Sequence, residues 1–595
     1  MALSIEQYGT VRAGQMAAEA GDCARSIELF KSILTDQPDA AELYNDLGTA
    51  THLHGDFVAA GHAFQHALNI KPDFVAAASN IGMTLHELKL TEQAAAWYSK
   101  ALEMDWTNDL TYNRLGILLR DKQHQEAAIR CYKIAIALNP SQPSLYNNIA
   151  SSLQSLGKLE ESEKEYERAI ILHPGMYYAW DGLIFTYDLD HRITKERHQE
   201  IRREFAVAQA ALASGYRRPH TNDIDPDRKL RIGYVSGDCW EHSASYIWGG
   251  VLSGHDPKNC ELFMYSNSKL ADQQTARLMG FVENWRIIAS MSDEKVCDLI
   301  RQDKIDILVD LSGHSSGNRL QVFARKPAPV QVHAWGYATG TGLSEIDYYF
   351  ADETVIPHDE HKYHTEKIRY LPCLVTSDFP NDFPNVGPLP ATIRGHVVFG
   401  SMARVGKISD ECYQAWAEIL HAVPDSELIM KTMEFDSQEV RNKVMAKFAA
   451  HGITGDRIIF GGRTHWMGNI CILLEIDIVL DSFPHGGGTT AMETLMMGVP
   501  YISLLGKTLG ARGSSSILKT IGLGDWVSNS VDEYIKIAVE KASDLEALAK
   551  LRGELRGIFQ NSVVGDSKKY CQIVEGEYRK IWQKWCEQQE MKEAA

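Results

Sequence analysis

The stretch Asp481-Ser-Phe-Pro-His-Gly-Gly-Gly-Thr-Thr-Ala-Met-Glu-Thr-Leu-Met-Met-Gly-Val-Pro500 decides how the larger part of this chain folds. It follows Asp477-Ile-Val-Leu480, whose short apolar run reads as a buried strand. Gly486, Gly487 and Gly488 then make a turn in which no Cβ stands between the backbone and a ligand. Thr489 and Thr490 take the N-cap and first turn of a helix whose apolar side is Met492, Leu495 and Met496. The free N–H groups and positive dipole end of a helix start favour an anion such as a diphosphate. Glu493 lies one turn further along the same face, within reach of ribose hydroxyls. A Gly-rich turn with packing duties only would look the same, so the surrounding chain has to decide.

Outward from this stretch, short apolar runs alternate with helical ones. One series is Val397–Phe399, Leu428–Met430, Ile458–Phe460, Ile478–Leu480 and Tyr501–Leu504. An earlier series is Leu230–Ser236, Leu262–Tyr265, Ile305–Asp310, Val330–His333 and Ile346–Phe350, and a Pro-rich segment, Phe379 to Pro390, separates the two. Such alternation predicts parallel sheets, here two Rossmann-like lobes with a cleft between them. Ligands bind beyond the carboxyl ends of such strands, where the Gly486–Thr490 turn falls. The last helix carries Ile573, Val574, Tyr578, Ile581, Trp582 and Trp585 on one stripe and is long enough to pack across both lobes.

The first third is a repeat of 34 residues, the tetratricopeptide period. Gly14, Gly48, Gly82, Gly116 and Ala150 keep that spacing, as do Phe30, Phe64, Tyr98, Tyr132 and Tyr166. Ala67, Ala101, Ala135 and Ala169 hold a third register, and Pro38, Pro72, Pro140 and Pro174 end repeats. Glycine or alanine lets the two helices of a hairpin approach, the aromatic fills the gap to the next hairpin, and proline stops the second helix. A degenerate sixth repeat begins near Tyr178. Polar residues precede the small one in each first helix: Asn45-Asp46, Ser79-Asn80, Asn113-Arg114 and Asn147-Asn148. A carboxamide donates and accepts at once, so Asn80, Asn113, Asn147 and Asn148 are candidates to hold an extended acceptor peptide by its backbone.

The chain divides as 1–187, a tetratricopeptide superhelix; 188–228, a charged helix and Pro/Asp-rich linker; 229–390, a first lobe; and 391–595, a second lobe with the terminal helix. With 595 residues it is too long for one core. A net charge of −18 excludes a general nucleic-acid or anionic-membrane binder. Ten cysteines without a C-x-x-C pair fit reduced thiols, and neither an export signal nor a membrane span is visible. These features predict a cytoplasmic, multidomain protein; a homodimer is left open. Asp223-Ile-Asp225 lies in the linker, and His358, His361 and His364 lie in a charged loop, so neither set is read as a metal site.

The chain resembles the O-GlcNAc transferase and Spindly family of protein glycosyltransferases. The segments that carry the likeness are Tyr234–Tyr246, Asp303–His314, Lys326–Val332, Phe399–Ser401 with Lys407, and Asp481–Pro500. The resemblance implies an α-solenoid of tetratricopeptide repeats followed by an α/β GT-B fold, without the insert that animal members carry between the lobes. It implies an inverting, metal-independent transfer of a sugar from a nucleotide donor to Ser or Thr of a protein, with no cofactor. Lys407 matches the lysine that neutralises the leaving diphosphate. Thr489 and Thr490, with Gly486, Gly487 and Gly488, match the diphosphate turn, and Glu493 matches the acid on the ribose. His242 matches the histidine beside acceptor and sugar, as general base or as an orienting group. Asp310 and His314, at the end of a strand expected to face the same cleft, are candidates for positioning the acceptor.

Departures from the pattern bear on the donor. Arg404 stands where O-GlcNAc transferases carry a glutamine against the phosphates, and Gly488 replaces a histidine. Asn469 falls near another donor-site histidine, Gly336-Tyr-Ala338 lacks a proline, and Lys326 replaces an arginine. The donor is therefore UDP-GlcNAc or GDP-fucose, with UDP-GlcNAc favoured. The rival reading from another class is a repeat scaffold whose lobes bind nucleotide or protein without catalysis.

Overall fold

The computed structural model describes residues 4–190, 192–337, 339–379 and 382–594. Ala338, Pro380 and Asn381, which the sequence reading touched, lie outside them. Two compact units are present, Met1–Ala179 and Trp180–Ala595.

Five helical hairpins make the first unit: Ile5–Glu19 with Cys23–Asp36, Ala41–His54 with Phe57–Ile70, Val75–Glu87 with Thr91–Met104, Asp109–Asp121 with Gln125–Leu138, and Pro143–Ser155 with Leu159–Leu172. Each repeat proline sits two residues beyond the second helix, where it cannot continue the ladder. The periodic aromatic packs on the glycine of its own hairpin, which corrects the expectation that it fills the gap to the next. A Cβ added at Gly48, Gly82 or Gly116 would lie 2.5, 2.6 or 2.4 Å from the ring of Phe64, Tyr98 or Tyr132. Ala67, Ala101, Ala135 and Ala169 are fully buried.

Neighbouring repeats are joined by a second periodic device. The residue three before the small position accepts a hydrogen bond from the residue two before it in the next repeat. Asn80 Nδ2 donates to Asn45 Oδ1 at 2.8 Å, Arg114 Nη1 to Ser79 Oγ at 2.8 Å, and Asn148 Nδ2 to Asn113 Oδ1 at 2.9 Å.

The second unit starts earlier than the linker predicted for residues 188–228. Helix Lys195–Ala213 packs on Trp180, whose ring meets Phe205 edge-on at 6.4 Å. Arg202 donates to the Gly340 carbonyl and to Asp188, and Asp188 also accepts from the Tyr337 hydroxyl at 2.6 Å. The segment is a buttress of the first lobe. Asp223 and Asp225 cap local turns, accepting from the backbone N–H groups of Asp225 and Asp227.

The first lobe is a seven-stranded parallel sheet: β1 (Leu230–Ser236), β2 (Cys260–Ser266), β3 (Asn284–Ile287), β4 (Ile307–Asp310), β5 (Val330–His333), β6 (Tyr348–Ala351) and β7 (Lys367–Tyr370), in the order 3-2-1-4-5-6-7. The second lobe has β8 (Val398–Ser401), β9 (Glu427–Lys431), β10 (Ile458–Gly461), β11 (Ile478–Leu480), β12 (Tyr501–Leu504) and β13 (Val527–Ser528), in the order 10-9-8-11-12-13, again all parallel. In each sheet the chain reverses its winding direction once, between β1 and β4 and between β8 and β11. Loops diverge there and leave a crevice.

Helix Ser567–Ala594 comes after the second lobe yet packs on the first. Tyr570 accepts from the Trp335 indole at 2.8 Å, Tyr578 meets Tyr234, and the Trp582 indole donates to the Asp225 carbonyl. The boundary at 391–595 therefore needs correction for this helix, and Ile573 of the expected apolar stripe is exposed. Among the described residues no helix is long and apolar enough to cross a membrane.

Candidate active site

Two of the segments singled out in the sequence meet across the lobes, where helix Ser243–Gly254, after β1, contacts helix Thr489–Met496, after β11. After β8 the chain makes a tight turn, Val405–Lys407. It is strapped to the loop after β11 by an antiparallel bridge between Ile408 and Pro484 and by a hydrogen bond from Ser409 N to the Phe483 carbonyl at 3.1 Å. Lys407, half-buried on this turn, feels the charge of Asp481 and in turn acts on His485, while Arg404 stays exposed at the start of the turn. Burial, and after it the charge of Arg404, bring Lys407 down to about 8, against the pull of Asp481 and Glu434.

The loop after β11 is held from inside by Asp481. Its Oδ1 accepts from the backbone N–H groups of Ser482 at 3.1 Å and Gly487 at 2.9 Å. Gly486 and Gly487 are sterically required: a Cβ there would lie 2.7 Å from Ser514 Oγ and 2.8 Å from Thr490 Oγ1 respectively. Gly488 is different, since a Cβ there would meet only Ile247, at 4.0 Å. It is the N-cap of helix Thr489–Met496 and offers no side-chain acceptor. Both threonines therefore lie inside the first turn rather than at the cap. The hydroxyl of Thr489 donates to the Ser243 carbonyl of the first lobe at 2.8 Å, so it ties the lobes together, and the first-turn N–H groups are what the helix offers to an anion.

Glu493 projects one turn further on. The Trp466 indole donates to its Oε1 at 2.8 Å, and burial pushes the carboxyl up to about 7, with Trp466 opposing. Trp466 also lies nearly parallel to Tyr246 of the first lobe, ring centres 6.4 Å apart. Sequence reasoning missed both Trp466 and His485. Burial, then Lys407, bring His485 down to about 3, so it is neutral at physiological pH.

On the first lobe, His242 is the N-cap of helix Ser243–Gly254, and its Nδ1 accepts from Ala244 N at 3.3 Å. Asp238, four residues earlier and also missed, places Oδ2 3.6 Å from the same nitrogen. The expectation for Asp310 and His314 is corrected: neither faces the cleft. Asp310 is fully buried and accepts from Ser312 N, Gly313 N and His333 Nδ1. His314 has both ring nitrogens engaged, Nδ1 with Asp181 at 2.8 Å and Nε2 with the Thr341 carbonyl at 3.0 Å. Both brace the loops of the first lobe from behind.

In the repeats, Asn80 and Asn148 each spend a donor on another carboxamide, and Asn147 is half-buried. Each such bond uses one of a carboxamide's four hydrogen-bonding positions, and Asn80, Asn113 and Asn148 are buried. Elsewhere His255, Cys260 and Glu575 bring metal-ligand types within 4.8 Å of one another. His255 bonds Glu575 at 2.9 Å and Tyr234 at 2.6 Å, and Glu575 also accepts from Asp256 N and Asn259. That hydrogen-bonded knot fastens the terminal helix to the first lobe.

The chain matches the family model described as glycosyl transferase family 41 over residues 185–386 and 389–574. Models of tetratricopeptide repeats match residues 11–73, 75–106, 118–157 and 143–172. A protein of Oryza sativa subsp. japonica named probable UDP-N-acetylglucosamine–peptide N-acetylglucosaminyltransferase SPINDLY is 38% identical over 368 residues, 61% of this chain and 40% of that protein. An Arabidopsis thaliana protein of the same description, SEC, is 31% identical over 416 residues, 66% of this chain and 42% of that one. The chain thus spans about two fifths of the length of these curated relatives. A solved O-GlcNAc transferase mutant from Thermobaculum terrenum superposes with a TM-score of 0.78 at 29% identity, covering 92% of this chain and 98% of that one.

Proposed function

Since the chain belongs to glycosyl transferase family 41, we propose that it is a protein O-glycosyltransferase, moving a sugar from a nucleotide donor to a Ser or Thr hydroxyl of a polypeptide held by the repeats. What supports this reading is that Lys407, on the turn after β8, feels the charge of Asp481, which opens the loop leading into the uncapped helix Thr489–Met496. As the bond from the anomeric carbon to the diphosphate breaks, negative charge grows on the departing phosphate oxygens. A fixed ammonium and fixed N–H dipoles stabilise that charge without reorganising, the kind of effect worth about 3–4 kcal/mol per donor in related chemistry. Such a set supports reading the transfer as metal-independent. Arg404 adds a second cation at the mouth, and Glu493 accepts from the ribose. His242, from the facing lobe, meets the incoming hydroxyl, and attack from that side inverts the anomeric centre.

UDP-GlcNAc is the favoured donor, and it is the nucleotide sugar in the names of the plant relatives. Thermal melting with UDP-GlcNAc and with GDP-fucose, each with and without EDTA, tests this, because a ligand that binds only the native state raises Tm. UDP-GlcNAc is expected to give the larger rise, unchanged by EDTA, and to support transfer to a peptide. A larger rise with GDP-fucose replaces the donor. No rise with either overturns the enzyme reading in favour of a scaffold.

A further inference from the structure

Every residue between β1 and helix Ser243–Gly254 is pinned, and the pinning leaves one carboxylate unspent. Gly237 is pressed on a neighbouring loop, where a Cβ would lie 2.7 Å from the Gly317 carbonyl oxygen. Glu241 N donates to Asp272 at 2.7 Å, and Ser245 Oγ donates to the carbonyls of Trp240 and His242. Asp238, only 9% exposed, donates its own N–H to Ser236 Oγ, yet its carboxylate accepts no hydrogen bond from the described residues. Its nearest partner is His242 Nδ1, at 3.6 Å.

That nitrogen has two suitors with opposite demands. The Ala244 N–H, at 3.3 Å, needs a lone pair on Nδ1, which puts the ring proton on Nε2. In that tautomer Nε2 can only donate. The Asp238 carboxylate needs a proton on Nδ1, which leaves the Nε2 lone pair free to take one. We propose that Asp238 is a positioning residue that selects the Nδ1–H tautomer of His242 and so makes its Nε2 the general base.

The inference rests on the transfer reaction proposed above. The Ser or Thr hydroxyl gives its proton to Nε2 as its oxygen bonds to the anomeric carbon. The bond from that carbon to the diphosphate oxygen breaks, and its electron pair leaves with the nucleoside diphosphate. The Nδ1 proton stays on the ring, directed at Asp238 Oδ2, and the carboxylate acts by charge without taking it up. A few tenths of an ångström of ring movement turns the 3.6 Å approach into a hydrogen bond.

Long-range histidine 15N–1H spectra of the full chain test this, with His242→Gln to identify the His242 signals. Kinetics with UDP-GlcNAc run in parallel. In the wild type an Nδ1–H signature is expected. In Asp238→Asn the carboxamide can turn its N–H to Nδ1, so the signature is expected to become Nε2–H, with kcat lowered roughly 100-fold or more and donor KM within about twofold. Asp238→Glu should keep the wild-type tautomer and recover part of kcat, and it carries the test if the Asn variant does not melt like the wild type. An identical tautomer in wild type and Asp238→Asn, or an unchanged kcat, overturns the inference. A wild type that transfers no sugar overturns the reaction instead, and the tautomer comparison still decides what Asp238 does.

Discussion

Donor affinity should be bell-shaped in pH, with limbs set by two named groups. In the proposed reaction Lys407 attracts the diphosphate while protonated, so its contribution is present below about 8 and is lost as pH rises through that value. Glu493 accepts from the ribose while ionised, so its contribution is present above about 7 and is lost as pH falls through that value. At pH 7.5 about three quarters of each group is in the required state, and roughly 0.6 of the protein has both. At pH 6 or pH 9 that share falls to about a tenth, so the affinity should drop roughly sixfold on either side. His485, held near 3, stays neutral throughout and adds nothing to either limb.

Calorimetric titration with UDP-GlcNAc between pH 6 and 9, in buffers of different ionisation enthalpy, reads both effects. UDP serves less well, because its terminal phosphate titrates near 6. Binding should take up a proton above pH 8 and release one below pH 7. Lys407→Arg, charged across the range, should erase the alkaline limb and leave the acid limb in place. A flat affinity from pH 6 to 9, or an alkaline limb that survives Lys407→Arg, would refute the reasoning.

Three further outcomes follow from single contacts. Lys407→Met should cut peptide glycosylation by at least about 100-fold while the melting temperature holds, since in the proposed reaction the ammonium serves the leaving group and it makes no ion pair among the described residues. Trp466→Phe removes the only side-chain donor on Glu493 among the described residues, so donor affinity should weaken by about 1 kcal/mol, roughly fivefold, and the acid limb should move to higher pH. Gly116→Ala, with its Cβ 2.4 Å from Tyr132, should destabilise the repeats by about 1–3 kcal/mol in urea melts. Gly14→Ala, at 3.0 Å from Phe30, should cost the least of the series.

What was legible in the chain and what was not divides along physical lines. The repeats were legible because one spacing carries three independent jobs, close approach, ring packing and termination. Ten strands of the two sheets were legible as apolar runs: nine lie inside the sheets, and β10 is an edge whose Ile458-Ile-Phe460 still reads as one. The three strands that escaped, β3, β7 and β13, are three of the four edges, where Asn284-Trp-Arg-Ile287 and Lys367-Ile-Arg-Tyr370 alternate polar and apolar residues and Val527-Ser528 is only a pair. Asp310 and His314 show the opposite limit. Their place at a strand end was readable, but which way each side chain points depends on partners such as His333 and Asp181, remote in sequence. Asp238 had a signal, an acid four residues before a histidine at a strand-to-helix turn. Trp466 had none, because its meaning depends on Glu493, 27 residues away.

The scatter of the candidate site along the chain, at 238–242, 404–407 and 481–493, has one cause. Each sheet winds in one direction from its first strand and in the other from its fourth, so only the loops after β1, β4, β8 and β11 open away from their neighbours. Two of those four loops carry the groups proposed to meet charge, Lys407 and the Gly486–Thr490 turn. A third carries His242. The fourth, with Asp310 and His314, is turned inward to brace the others. The Thr489 hydroxyl on the Ser243 carbonyl sets one helix start against the other, which brings His242 near the anion-facing N–H groups. Removing that hydroxyl with Thr489→Val should therefore lower turnover more than donor affinity, because it loosens how the two lobes meet and leaves Lys407 and the first-turn N–H groups intact. Kinetics with equal losses in both would instead assign the hydroxyl to the diphosphate itself.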